Sequence, residues 1–155
     1  VSLLTAWVVG RPYFTDPRRV ALFLAIFTAI ATVPSFFAFY TRDLFVAQIM
    51  FWLFIPAIYF YLGPSFAMCQ NLSPPKMRSM FIAITLLIAN VFNLIVAPAF
   101  VGSLSDWFAG PHPADADSLR MAQLFLAPTG FWAAWHYWMA AKYIVADQKR
   151  AIGYI

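Results

Sequence analysis

The sequence predicts an all-α, polytopic membrane protein, and three observations carry that prediction. Of 155 residues, 63% are hydrophobic and only 10% are charged, whereas about a quarter of a soluble domain is charged. The apolar residues fall in runs long enough to cross a bilayer. The cations collect in alternate loops between those runs, which is the pattern of a chain threaded back and forth through a membrane. The net charge of +4 is spread over short loops rather than gathered on one patch, so nucleic acid is not an expected partner. All six acidic residues are aspartates, and the single cysteine, Cys69, excludes an internal disulfide.

Val1 to Val9 is apolar but too short to span. No basic region precedes it, as one would in a signal peptide. It reads as the tail of a helix that begins upstream, so the chain is expected to be part of a longer protein. Arg11 to Arg19, RPYFTDPRR, is a polar turn. Val20 to Tyr40 is the first complete span: 21 uncharged residues, about 31 Å at the helical rise of about 1.5 Å per residue. It carries Pro34, a kink that membrane helices tolerate. Its Ala, Phe, Ile and Leu content reads as a lipid-facing helix.

Thr41 to Leu44 is a tight turn with Arg42 and Asp43. Phe45 to Asn71 is the second span, interrupted by Pro56 and by Gly63-Pro64. Ser73 to Arg78 is a Pro-Pro turn with two cations. Ser79 to Leu104 is the third span, Ser105 to Ser118 a loop with three aspartates, and Leu119 to Val145 the fourth span. Arg11, Arg18, Arg19, Lys76, Arg78, Lys142, Lys149 and Arg150 fall on one side, Arg42 and Arg120 on the other. That bias places the Pro-Pro turn and the C-terminus in the cytoplasm of a chain in the cell membrane, with membrane lipids as its surroundings.

The middle third of the chain is more specific. Gly63-Pro64, Phe66-Ala67, Gln70, Leu72, Pro74-Pro75, Met77-Arg78, Asn90, Pro98, Gly102 and Leu104-Ser105-Asp106 resemble the pattern around helices ten and eleven of major facilitator superfamily transporters. The likeness is to the Spinster-like branch, roughly GP-x-[FY]-A, Q-x-L-x-P-P-x-M-R, N, G-P and G-x-L-S-D. The family usually has Gly-Pro where this chain has Ala97-Pro98. Its basic motif after helix eight survives only in part, in Gly10-Arg11 and Asp16-Pro17-Arg18-Arg19. The resemblance implies the partial C-terminal half of a twelve-helix fold, with the N-terminal helices of the same protein as its missing partner. It also implies alternating access between two halves. By this resemblance the first and fourth spans lie at the periphery, and the second and third border the solute path.

Within that frame, Gln48, Tyr59, Ser65, Asn90 and Asn93 are candidates for the substrate path. Asn90 and Asn93 lie on one helical face, with Ala97 four residues beyond Asn93. They either line the path or hydrogen-bond between helices. Tyr59 and Tyr61, two apart, cannot share a face, and Tyr59 is favoured for the path. Gly63 and Pro64 are a hinge or a packing kink. Gln70 and Arg78 are a gate at the inner end or topology anchors. Asp106 and Arg120 both sit at unfavourable ends of helix dipoles. They are expected to pair across the outer loop, or Arg42 serves as the partner. His136, among Trp132, Trp135 and Trp138, reads as an aromatic packing position.

No nucleophile, phosphate-loop or metal-ligand pattern is present in the sequence, so no enzyme, cofactor or metal is expected. The expected function is transport of a small organic or amphipathic, lipid-like solute. The rival is a small four-helix membrane subunit that scaffolds a larger complex.

Overall fold

Asp16, Pro17 and the apolar run behind them begin the helix around which the others gather. In the computed structural model, which describes residues 7–153, the Asp16 carboxylate accepts a hydrogen bond from Arg18 N–H at 2.9 Å and Pro17 occupies the first helical turn. An N-cap and a proline at that position are the strongest local start signals a helix has. Helix α1 (Pro17–Tyr40) then runs unbroken through Pro34. The expectation for Val1–Val9 lies mostly outside the described residues; residues 7–9 are helical.

Asp43 caps the next helix in the same way, accepting from Phe45 N–H at 2.8 Å and Val46 N–H at 3.2 Å. The second span is two helices, α2 (Leu44–Ile58) and α3 (Leu62–Asn71). Proline has no N–H for the carbonyl four residues back and its ring crowds that carbonyl. For Pro64 that residue is Phe60, in the middle of the break. The third span is also segmented: α4 (Arg78–Val91), a π turn at Phe92–Val96, and α5 (Ala97–Ala109). The fourth comprises α6 (Ala116–Leu126) and α7 (Thr129–Ile152), separated at Ala127-Pro128.

Among the described residues the chain is helix and turn, without a strand. Three stretches, Pro17–Tyr40, Leu44–Asn71 and Pro75–Ala109, are long and apolar enough to cross a membrane. The fourth expected span is not among them. Its longer helix, α7, carries Trp, Tyr, His136 and Lys142 in place of aliphatic side chains.

Within this chain helix α1 packs along one side, while Ile26, Ile30, Val33 and Phe37 on its other side are exposed. It holds more buried residues than any other described helix: Val20, Ala21, Leu24, Ala25, Thr32, Ser35 and Ala38. They meet Ala141 and Ile144 of α7 and Met68 of α3 at one end, while Gly130 of α7 lies against Thr32 near the other. Helices α1 and α7 are therefore antiparallel. Ala21, Ala25, Thr28, Thr32 and Ser35 recur at intervals of three and four, so they form one seam. In lipid, apolarity does not drive helices together; close packing of small residues does. That is why a helix this greasy lies at the centre.

The third span behaves differently. No residue from 79 to 104 is buried. It is tied down at its ends, by the turn into α4, where buried Ser73 donates to Cys69 O at 2.7 Å, and by a buried Ser105–Ser118 hydroxyl pair at 3.0 Å. Between those ties it presents an apolar surface away from the bundle.

Candidate functional site

The exposed third span carries two amides in its middle. Asn90 lies in the last turn of α4 and Asn93 in the π turn, and both are exposed. Pro98 explains the local geometry. It offers no N–H to Leu94, and the Ala97 N–H bonds to Phe92 O, five residues back, rather than four. A π turn changes the phase of the helix, so Ala97 does not continue the Asn90–Asn93 face as an unbroken α-helix would have it. Neither asparagine side chain has a hydrogen-bond partner among the described residues. An amide unpaired in hydrocarbon costs several kcal/mol in the least favourable case. These two side chains therefore call for water or a polar partner in the membrane.

The second span distributes its polar residues differently from the expectation. Gln48 is exposed beside Phe51 and Trp52 of α2. Tyr59 is 52% exposed on the surface of the break, whereas Tyr61 points inward and lines a hollow between α1 and the fourth segment. The inward tyrosine is thus Tyr61, not Tyr59. Pro64 is buried and Gly63 is exposed with open space around it. Ser65 shares a hydrogen bond with Tyr137 Oη at 2.7 Å, joining α3 to α7. That contact gives Ser65 a structural partner away from the two asparagines. Gln70 and Arg78 are exposed at the basic end and form no ion pair among the described residues.

At the opposite end Asp106 and Arg120 do not pair. Arg120 Nε lies 3.4 Å from Asp117 Oδ1, one turn earlier on its own helix, and its Nη1 donates to Tyr40 O at 3.4 Å. Asp106 is exposed, and Arg42 does not reach it; Arg42 and Arg120 instead line one hollow with Tyr40 and Met121. A partner three residues away on the same helix needs no loop to be ordered first, so it wins over one across the loop. Nearby, Asp115 accepts from Ser118 N–H at 2.8 Å, and Ser118 Oγ lies within hydrogen-bond reach of Asp115 N at 2.9 Å, a reciprocal capping box. The Ser118 backbone N–H, foremost among these contacts, holds the Asp115 carboxyl below its ordinary value of 3.8. His136 Nδ1 lies 2.9 Å from Trp132 O, and its ring meets Trp132 and Trp135 edge-on.

The sequence reading passed over a polar seam on α1, where Thr32 Oγ1 donates to Thr28 O and Ser35 Oγ to Thr32 O, each at 2.8 Å. Its signal was the spacing of three hydroxyl residues at intervals of four and three inside an apolar run. No family model, curated protein or solved structure matches the chain.

Proposed function

We propose that this chain is the C-terminal part of a secondary-active transporter of the major facilitator type, with a Spinster-like pattern. It moves a small organic or amphipathic solute by alternating access. The observation that carries the reading is the third span. Its middle is uncovered by the other described residues, it is apolar, and it bears Asn90 and Asn93 at a π turn. A helix of that kind is suited to face a second half of the protein across a solute path, with the amides providing hydrogen bonds that acyl chains cannot. The bias of cations toward the Pro-Pro turn and the C-terminus supports a cytoplasmic position for both. In this reading Gln48 and Tyr59 contribute to the path from the second span, and the break before Pro64 lets α3 move relative to α2.

The same uncovered span also suits a subunit that packs against other membrane chains and transports nothing. Intact mass spectrometry of the native gene product, taken from membranes, separates the two. One polypeptide with further spans upstream of Val1 supports the transporter. A product of four spans that co-purifies with other membrane chains refutes it.

A further inference from the structure

The hollow that Tyr61 lines lies at the middle of α1, between α1, the α2–α3 break and the α6–α7 break, away from the third span. Its volume is about 320 Å³, and Thr28, Thr32, Ser35, Gln123 and Thr129 line it beside Tyr61. A second hollow of about 550 Å³ lies between α1 and α2 and shares Ala31 and Ala57 with the first. Every residue lining the second is apolar, Ile30, Val33, Leu53 and Phe60 among them. A chamber that holds hydroxyl and amide groups among apolar side chains therefore adjoins a greasy groove, with Ala31 and Ala57 in the wall they share.

The hydrogen-bonding sense of the chamber is defined. Thr32 Oγ1 donates to Thr28 O, Ser35 Oγ to Thr32 O, and Thr129 Oγ1 to Leu126 O at 2.7 Å. With their protons committed, these three hydroxyls offer only lone pairs to the chamber. Thr28 and Gln123 bring side chains without a protein partner among the described residues. Among the described residues, no cation or carboxylate lines either hollow. A charged group here would be stripped of water with no counter-ion.

We propose that this chamber binds the uncharged, hydroxyl-bearing head of an amphiphile whose acyl chain lies in the groove between α1 and α2. The head donates its hydroxyl protons to acceptors among Thr32, Ser35 and Thr129, and the Gln123 amide supplies both a donor and an acceptor. The chain covers apolar wall that would otherwise face lipid through a gap. The proposal rests on the membrane placement of the helices and not on transport, so its failure leaves the transporter reading standing.

The test is photolabelling of the full chain in lipid nanodiscs with a monoacylglycerol that carries a diazirine in its chain. The label is expected on peptides covering residues 27–35 and 53–61. Excess unlabelled monoacylglycerol removes it and the fatty acid of the same chain does not. Gln123→Leu, nearly isosteric, lowers the labelling at least about three- to tenfold, the loss expected for each membrane hydrogen bond removed. Ala31→Phe, in the wall that both hollows share, fills that space and abolishes the labelling. If that variant fails to fold, Gln123→Leu alone carries the test. Label spread over the exposed third span without competition, equal competition by the fatty acid, or unchanged labelling of Gln123→Leu would each overturn the proposal.

Discussion

Gly130 is where the packing of α1 against α7 can be tested with a single methyl group. A Cβ at that position would collide with Thr32 Oγ1 and lie 2.9 Å from Thr32 Cγ2 and 3.1 Å from Thr32 Cβ. Rotating the Thr32 side chain moves its oxygen and methyl but not its Cβ, and it breaks the hydrogen bond to Thr28 O. The helices must then move apart along the Ala21–Ser35 seam. Overpacking of this kind costs about 1–3 kcal/mol. Alanine regains at most about 1 kcal/mol of helix propensity, and less in the first turn of α7, where Gly130 sits. Gly130→Ala is therefore expected to destabilise the fold by about 1–2 kcal/mol. Thr32→Ala removes both colliding atoms, so the double variant is expected to recover more than half of the Gly130→Ala loss. Steric-trap unfolding in bicelles measures all three. A Gly130→Ala variant as stable as the parent, or a double variant whose losses simply add, would refute the close approach of these helices.

Other consequences follow from particular contacts. Tyr137→Phe removes the Ser65 hydrogen bond between α3 and α7 and is expected to cost about 0.6–2 kcal/mol in the same unfolding assay; Tyr143→Phe, exposed on the same helix, should cost nothing measurable. Asp43→Ala removes two N-cap bonds of α2 and is expected to cost about 1 kcal/mol, recovered largely by Asp43→Ser. Because the folded-state value of the Asp115 carboxyl is lowered, its contribution to holding α6 is present above its ordinary value of 3.8 and is lost as pH falls further, through the folded value. Hydrogen exchange at Ser118 and Leu119 should therefore accelerate between pH 5 and strongly acid pH, beyond the intrinsic change, and Asp115→Asn should abolish that dependence. Asp106→Asn is expected to leave stability unchanged, since Arg120 takes Asp117 and Asp106 itself is exposed and unpaired among the described residues.

Much of the architecture was legible because membrane helices announce themselves by length and apolarity, as the runs at Val20–Tyr40 and Ser79–Leu104 do. Burial was less legible. A soluble helix shows its packed side by hydrophobicity, but in lipid both sides of α1 can be apolar. Only the spacing of Ala21, Ala25, Thr28, Thr32 and Ser35 distinguishes the packed one. The break in the second span falls at Tyr59–Tyr61, before Gly63-Pro64, because a proline disrupts the turn that precedes it. That displacement turns Tyr61 inward and leaves Tyr59 outside. The fourth segment is divided because Pro128 cannot donate to the carbonyl of Leu124. Pairing at the outer end could not be read from charge alone: Asp106, Asp115 and Asp117 were all within loop reach of Arg120, and helical registry selected Asp117. Asp16, Asp43 and Asp115 each precede an apolar helix at the N-cap, so half of the six acidic residues have a local role that their positions in the sequence already indicated.

The most direct test of the central claim is the water accessibility of the third span in native membranes. With Cys69→Ser as background, single cysteines at positions 83–104 are treated with a membrane-impermeant methanethiosulfonate. A solute path predicts fast reaction at Asn90→Cys and Asn93→Cys and protection on the opposite face, at Ile88→Cys and Phe92→Cys. It also predicts that a transported solute slows the reaction at the two asparagine positions. Uniform protection across the span, asparagines included, would place this helix in lipid or against a dry partner and contradict the account.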